Sequence, residues 1–440
     1  MNTSTAWRVG AAELDITPKK SAFLFGYPHV ERYSTGVHDP LLASAVYVSD
    51  EQSAAIFVGC DVIFVSRAMT HRARQRIADA VGLPAEHIMI TASHTHSGPI
   101  TMSMLSNEGD ATVPAPDADY LQQLEDGIVR AAVHAHATAA PATLDHAVAD
   151  GRGLGTNRRA PDGPTIPAVP VLLARRSVDR EPIAVMAVVS MHPTVLHEDW
   201  TLVSGDFPGL ARVHLQKQFA NCPFIYHMGA SGNQSPRHVT KANTIEEANR
   251  LGRMLSDAIQ YALQNATPLT PTRIDCTQNT VELPLRSFPT VDEAQARLKA
   301  SVDRLAELRD ANAPRTQVRT AECDWFGAEE TLALAQANVE QRLAAAARQC
   351  MPAEVQVIRI GSVTFVGWPG EVFVEFAMQV TAEHPDAHII TLANGDLQGY
   401  LVTQQAIDEN AYEAGNAIFA SPDSGDRLVA ATRELLDRLA

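Results

Sequence analysis

The hydrophobic positions of this chain follow two alternating patterns. Short, nearly continuous apolar runs predict buried strands at residues 54–60, 87–93, 183–190 and 224–228. Between them, longer segments carry apolar residues at helical spacing and predict helices at residues 66–81, 120–134, 209–219 and 245–264. Strands that alternate with helices in this way are typical of layered α/β proteins. We therefore predict an α/β fold of layered mixed sheets with flanking helices.

A second region has a different character. Residues 291–311 and 328–348 are rich in Ala, Leu, Glu and Arg at helical spacing, and a short polar link containing Pro314 separates them. This pattern predicts a helical hairpin, inserted at about residues 290–350 between core strands. The hairpin could serve as a lid, as a contact in a homo-oligomer or simply as packing. Strands at 355–360 and 363–367 are expected to return the chain to the core.

Composition and charge limit the classes of function that this chain can have. The chain has 440 residues, of which 45% are hydrophobic, and this is enough to bury a substantial core. We expect residues 1–440 to form one domain. The formal net charge is −16, which argues against a nucleic-acid-binding protein and, more weakly, against anchoring on an anionic membrane.

Targeting signals and cysteine usage predict a location. No segment approaches the roughly 18 consecutive apolar residues of a transmembrane helix. The N-terminal residues 1–18 lack a basic start followed by an apolar core, so no secretory signal is visible. The five cysteines are scattered and form no CxxC pair, which favours reduced structural thiols. We therefore expect a soluble, cytoplasmic protein.

The strongest local signal for chemistry is an HxH pair, His94 and His96, directly after the predicted strand 87–93. In an extended segment, residues two apart point to the same side, so both imidazoles are expected to face one space. The ends of buried strands are where α/β proteins tend to place their sites. Paired structural histidines would give the same pattern, and both interpretations stay open.

Two further residues extend this signal. His192 follows the apolar run 183–190, and Glu371 follows the run 363–367 and is expected to open a helix at residues 372–380. A catalytic zinc ion typically has three protein ligands from His, Glu or Asp and keeps a position for water. A structural histidine and a glutamate favoured by the helix dipole are the alternatives.

A Gly- and Ser-rich loop at residues 228–236 follows another predicted strand. Such a loop offers free amide donors and exposed hydroxyls, so Ser235 could be a nucleophile or an oxyanion donor. The loop lacks the GxSxG pattern of serine hydrolases, and an ordinary turn is the alternative.

Taken in order, these motifs resemble those of the neutral/alkaline non-lysosomal ceramidases. The matching segments run from about residue 8 to about residue 420, and they are residues 9–18, 26–27, 36–40, 155–158 and 204–206 together with those described above. The resemblance implies that the catalytic domain of such an enzyme is present. It also implies that the C-terminal Ig-like β-sandwich domain of longer family members is absent.

The resemblance assigns a role to each matching position. It implies a zinc ion held by His94, His192, Glu371 and Tyr400. It further implies His96 as general acid/base, Tyr412 and Arg158 as stabilisers of the oxyanion, and Ser235 as nucleophile or transition-state ligand. Where the family usually has Gly-Asp-x-Ser-Pro, this chain has Asn233, so an amide replaces a carboxylate near Ser235.

The implied function is zinc-dependent hydrolysis of an N-acyl amide by zinc-activated water or by Ser235, with a small-molecule or lipid-like substrate. One alternative is hydrolysis of a soluble ester, a lactone or a small amide instead of ceramide. Another, of a different class, is a non-catalytic binding protein stabilised by zinc.

Overall fold

The computed structural model describes residues 7–219 and 222–439. The strands, in chain order, are β1 (Trp7–Asp15), β2 (Gly36–Val37), β3 (Leu42–Ser49), β4 (Ala54–Cys60), β5 (Ile88–Ala92), β6 (Ala140–Asp150), β7 (Thr156–Asn157), β8 (Ala168–Arg176), β9 (Pro182–Val189), β10 (Leu202–Val203), β11 (Phe224–Met228), β12 (Gln234–Ser235), β13 (Thr267–Leu269), β14 (Ile274–Val281), β15 (Ala353–Ile360), β16 (Val363–Gly367), β17 (Glu371–Val372), β18 (Ala387–Ile390) and β19 (Tyr400–Leu401). The α-helices are α1 (Arg67–Val81), α2 (Ala118–Ala137), α3 (Asp206–Gln218), α4 (Ile245–Leu263), α5 (Val291–Asp310), α6 (Arg315–Val339), α7 (Leu343–Cys350), α8 (Val374–Glu383), α9 (Gln404–Asp408), α10 (Tyr412–Gly415) and α11 (Pro422–Leu439).

A large mixed sheet and a smaller one form the centre of the molecule. The large sheet has the strand order β11-β9-β8-β6-β1-β3-β4-β5, and β13 pairs with β6 beside this path. Its inner pairs are antiparallel, whereas β4–β5 and β9–β11 are parallel. The smaller sheet has the order β14-β15-β16-β18, with a parallel β16–β18 pair. Parallel pairs at the ends of both sheets direct several strand ends toward one region.

The two sheets pack face to face, and helices cover both outer faces. Along β4, Ile56 and Val58 pack against the helices α1 to α4, whereas Phe57 packs into the layer between the sheets. On the smaller sheet, Phe365 faces this middle layer and Val366 faces the helices on the other side. Strands buried on both faces explain why their sequences are continuous apolar runs instead of alternating ones.

The two end strands of the large sheet are tied together. The Thr91 hydroxyl on β5 lies 2.8 Å from Nδ1 of His227 on β11. The segment after β18 adds further bonds, because the amide of Thr391 donates to the Met228 carbonyl and the amide of Asn394 donates to the Ile90 carbonyl. These contacts bring the segments that follow β5, β9, β11, β16 and β18 close to one another.

The predicted α/β architecture of layered sheets and flanking helices is confirmed, and two details of the prediction are wrong. The predicted second helix of the hairpin, residues 328–348, is two helices in the structure, because α6 extends from Arg315 to Val339 and α7 from Leu343 to Cys350. The first turn of α6 follows Pro314, a residue that suits a helix start. Glu371 does not open a helix, because it lies in β17, which pairs with β19, and α8 begins only at Val374.

All five cysteines are free, and three of them are buried. Among the residues that the structure describes, no helix is both long and apolar enough to cross a bilayer.

Candidate active site

His94 and His96 lie just after β5, and both imidazoles border one cavity. The backbone there is not extended as predicted, because His94 has a φ of 68°, in the left-handed region. The two rings still face each other, with their Nε2 atoms 3.3 Å apart and their centroids 4.9 Å apart. The predicted shared space is confirmed, although a sharp turn and not a strand produces it.

Gly26 makes room for the His96 ring. Its φ of 121° favours glycine, and an added Cβ would lie 2.4 Å from Nδ1 of His96. On its other side, the His96 ring meets the edge of the Tyr27 ring at a centroid distance of 5.2 Å. Burial, followed by the proximity of His94 and His192, lowers the pKa of His96 well below its ordinary value, so this imidazole is neutral at pH 7.

His192 lies in the segment after β9 and is 1% exposed. Its Nδ1 atom donates to the Ser231 carbonyl at 2.7 Å, with the Gln234 carbonyl at 3.1 Å. His94 is held in the same way, because its Nδ1 lies 3.0 Å from the Ile63 carbonyl. A carbonyl oxygen can only accept a hydrogen bond, so Nδ1 carries a proton in both rings, and in the neutral form of each ring Nε2 presents a lone pair.

The carboxylate of Glu371 meets both lone pairs. Its Oε2 lies 2.9 Å from Nε2 of His192 and 3.2 Å from Nε2 of His94, and all three side chains are buried. Three acceptors that face one point repel one another unless a cation lies between them. Two neutral imidazoles and a carboxylate, with their ligand atoms within 4.8 Å of one another, are a fitting donor set for a divalent metal ion.

The electrostatics of the cluster agree with this donor set. Burial, and then the charge of Arg158, lower the pKa of His192 to about 4, which keeps it neutral at pH 7. Burial opposes ionisation of Glu371, but the positive charge and N–H donors that His94 and His192 bring when protonated outweigh burial and lower its pKa well below the ordinary value. The cluster therefore carries a single negative charge, which a divalent cation would more than neutralise.

Tyr400 is placed beside this cluster by backbone pairing. In the parallel ladder of β17 and β19, Glu371 is the direct register partner of Tyr400. The Tyr400 ring lies 6.3 Å from the His192 ring and 6.2 Å from the Tyr412 ring, centroid to centroid. Burial and the charge of Glu371 raise the pKa of Tyr400 well above its ordinary value, so the phenol keeps its proton unless a cation displaces it.

Arg158 lies against Tyr400, with its guanidinium carbon 5.2 Å from the ring centroid. Its Nε donates to Glu413 at 2.8 Å, whereas its buried Nη2 has no hydrogen-bond partner among residues 7–219 and 222–439. Burial works against the charged form, but Tyr400 and Glu413 raise the pKa of Arg158 above its ordinary value. Among the described residues, the Nη2 group of this cation is thus left available beside the cluster.

The structure does not place Ser235 among the residues that line this cavity. Ser235 lies on β12, which pairs with Thr156 on β7, next to Arg158. Its hydroxyl accepts a hydrogen bond from the Arg237 amide at 3.3 Å, and this bond starts a short helical turn. The described hydrogen bonds give this hydroxyl no imidazole or carboxylate partner that could remove its proton.

Asn233, in the same loop, has a clear structural role. Its Oδ1 accepts from the Val374 amide at 3.0 Å at the start of α8, and its Nδ2 donates to Glu375 at 2.8 Å. The neighbouring Gly232 amide donates to the Val372 carbonyl. An aspartate could keep the first bond but could not donate to Glu375. The amide therefore fits this chain, and the loop supports the strand that carries Glu371.

The cavity also contains polar residues that sequence reasoning missed. Glu330 on α6 is 6% exposed, and Asn416 just after α10 is 6% exposed. Glu330 follows Gly327 by three residues and precedes Leu334 by four. This helical spacing places it on the buried face of α6. A charged residue in an apolar stripe was the available signal. The full lining consists of Phe25, Gly26, Tyr27, Pro28, Ile63, Phe64, His94, His96, Met104, Ser106, Asn107, Val113, Glu330, Glu371, Gly399, Tyr400, Tyr412 and Asn416.

The chain is similar to known proteins of one family. Residues 7–161 match the family model described as neutral/alkaline non-lysosomal ceramidase, N-terminal. Neutral ceramidase 2 of Arabidopsis thaliana is 25% identical over 279 residues, which cover 59% of this chain and 36% of that protein. The neutral ceramidase of Mycobacterium tuberculosis is 26% identical over 241 residues, 49% of this chain and 37% of that protein. The resemblance to the neutral ceramidase family is confirmed.

The aligned region spans little more than a third of the length of these ceramidases. The fold agrees over a longer range. A crystal structure of neutral ceramidase from Pseudomonas aeruginosa superimposes with a TM-score of 0.75 at 19% identity, covering 99% of this chain and 75% of that chain. A structure titled as ceramidase complexed with C2 gives a TM-score of 0.73 at 16% identity. This ceramidase-like fold is thus present along nearly the whole chain.

Proposed function

We propose that this chain is a metal-dependent hydrolase of N-acyl amides, with zinc as the expected metal. One observation carries the proposal. Both Nδ1 atoms of His94 and His192 donate to backbone carbonyls, so that two lone pairs and the Glu371 carboxylate meet at one buried point. Tyr400 is the expected fourth ligand, because its backbone pairs with Glu371. The named relatives are neutral ceramidases, and this supports an amide as the bond that is cleaved.

A divalent cation held there would supply Lewis-acid polarisation of the substrate carbonyl. His96 is neutral and borders the same cavity, so it can take a proton from the attacking water as the carbon–oxygen bond forms. It then delivers that proton to the nitrogen as the carbon–nitrogen bond breaks. The products are a carboxylic acid and an amine.

Tyr412 and Arg158 are the proposed oxyanion donors. Burial raises the pKa of Tyr412 well above its ordinary value, so its hydroxyl stays protonated and able to donate. Arg158 contributes its unpaired Nη2. Loss of one such donor typically costs about 3–4 kcal/mol of barrier. We favour water over Ser235 as the nucleophile, since the Ser235 hydroxyl accepts a bond from the Arg237 amide and the described hydrogen bonds give it no basic partner that could remove its proton.

The size of the cavity favours a second candidate substrate class. Its free volume is about 60 Å³, which suits a small group better than a long acyl chain. A small N-acyl amide or ester is therefore proposed beside ceramide. Hydrolysis of an acyl chain-length series, from acetyl to palmitoyl, separates the two, because efficiency that falls with chain length favours the small substrate.

The metal assignment is tested by His94→Ala, with His134→Ala on the exposed side of α2 as the matched control. We expect His94→Ala to lose both bound metal, measured by elemental analysis, and amide hydrolysis, whereas the control keeps both. If His94→Ala retains stoichiometric metal and full turnover, the assignment is wrong. Stoichiometric metal without turnover of any amide or ester would favour a metal-stabilised binding protein instead.

A further inference from the structure

One wall of the cavity is polar in a way that the proposed reaction does not use. Glu330, on α6, and Asn416, just after α10, both line it. The two elements are joined directly, because the Thr331 hydroxyl lies 2.6 Å from the Gly327 carbonyl of α6 and 3.0 Å from the Gly415 carbonyl of α10. This wall is therefore a built part of the fold, positioned by buried hydrogen bonds.

Two oxygen atoms in this wall are buried and lack partners among the described residues. Oε1 of Glu330 accepts from the side-chain amide of Asn107 at 3.3 Å. Oε2 of Glu330 and Oδ1 of Asn416, however, have no hydrogen-bond partner within the part of the chain that the structure describes. A buried polar atom without a partner costs roughly 1–3 kcal/mol, so a pair of them facing a cavity indicates a ligand that would satisfy both.

The charges around Glu330 indicate the kind of ligand. No ion pair reaches Glu330 from any described residue, and the charged groups that act on its pKa most strongly are the acidic Glu329 and Asp110. Burial, and then the charge of Glu329, raise the pKa of Glu330 well above its ordinary value. A group that brings positive charge and several N–H donors would ionise Glu330 and bond to both free oxygens. An ammonium group has these properties, whereas a ligand group that only accepts hydrogen bonds, such as a carboxylate, does not.

We propose that Glu330 and Asn416 form a subsite for a primary ammonium group of the substrate, so that the chain selects N-acyl compounds that carry a free amine. This specificity rests on the proposed amide hydrolysis, but binding of the ammonium group does not require turnover. The net charge of −16 would also attract a cationic substrate and repel an anionic one.

The test compares three acetamides that differ only at the far end of a three-carbon chain: N-acetyl-1,3-diaminopropane, N-(3-hydroxypropyl)acetamide and N-propylacetamide. We expect the wild-type kcat/KM to be at least about 30-fold higher for the amine than for the alcohol, the discrimination that a buried charge pair typically gives. Glu330→Gln should reduce this ratio to near one. Glu434→Gln, on the exposed face of α11, is the control and should keep the ratio.

The ratio of two substrates is independent of how much enzyme is folded, so partial loss of folded Glu330→Gln does not obscure it. If that variant does not fold at all, Asn416→Ala, which removes one of the two acceptors, should lower the same ratio. A wild-type enzyme without preference, or one that prefers the alcohol, would overturn the proposal. So would an amine preference that survives Glu330→Gln.

A separate measurement distinguishes failure of this subsite from failure of the proposed reaction. Calorimetric titration with butylammonium and with butanol reports binding without turnover. Butylammonium that binds to the wild type and at least about tenfold more weakly to Glu330→Gln supports the subsite even if no amide is hydrolysed. Amide hydrolysis without any binding of butylammonium would support the reaction and refute the subsite.

Discussion

Replacing Asn233 by aspartate should destabilise this chain in a strongly pH-dependent way. The amide of Asn233 donates to Glu375 at 2.8 Å, so the substitution would bring two carboxylates into contact. At an effective dielectric constant of about 20, two charges at this separation repel by about 6 kcal/mol. Protonating one carboxyl at pH 7 instead costs about 4 kcal/mol, since each pH unit above about 4 adds about 1.4 kcal/mol. With some separation of the two groups and access of solvent to Glu375, we expect a loss of about 2–4 kcal/mol.

Urea unfolding at several pH values measures this loss. Near pH 4 and below, carboxyls are protonated in the unfolded chain too, so the difference from wild type should disappear there and should grow as the pH rises toward 7. The double variant Asn233→Asp/Glu375→Gln reverses donor and acceptor and should recover most of the stability. An equal loss at pH 4 and pH 7, or a double variant as unstable as the single one, would refute the role given to the Asn233 bond.

Three other predictions concern the candidate site, the ion pair of His29 and Glu329, and the metal. Gly26→Ala places a Cβ 2.4 Å from the His96 ring, so kcat should fall about 100-fold because that ring is displaced. The control Gly109→Ala has open space around the new carbon and should leave kcat unchanged. Comparable activity of both variants would contradict this prediction. Glu329, through its hydrogen bond, raises the pKa of the half-buried His29, so the ion pair should stabilise the protein below about pH 6.5 and lose this effect as the pH rises through the raised value. The free energy of unfolding of the wild type should therefore exceed that of His29→Gln by up to about 1 kcal/mol at pH 5.5 and by less at pH 8.5. An excess that grows with pH would contradict this prediction. Removing the metal with a chelator should lower the melting temperature, because the facing acceptors of the metal cluster then repel one another, and adding Zn²⁺ back should restore it; an unchanged melting temperature would show that no metal was bound.

Strands could be predicted from the sequence wherever their apolar residues form a continuous run. The runs 54–60 and 224–228 coincide with β4 and β11, because these strands are buried on both faces. Strands β6 and β8 were not predicted, although β8 is buried along six consecutive residues. In β6, buried and exposed residues are mixed, so the strand depends on pairing with β8 and β1 that no local pattern reveals.

The candidate site was accessible only in part. Strand ends correctly indicated where His94 and His192 would lie, since the ends of parallel pairs meet in one region. The pairing of Glu371 with Tyr400 was not visible, because β17 and β19 are two-residue strands that exist only through their mutual ladder. The position of Glu330 was missed because a glutamate in a helix rich in Glu and Arg is ordinarily on the solvent side.

The two sides of the cavity come from different parts of the chain, and this affects how related proteins can differ in the compounds they bind. The candidate metal ligands His94, His192 and Glu371 come from segments that follow the core strands, whereas Glu330 comes from a helix that lies between β14 and β15 in the chain. Substitutions along α6 can therefore change which compounds the cavity binds without moving the candidate metal ligands. Excising residues 290–350 would not leave a minimal enzyme, because α6 also buttresses the turn that carries Tyr412.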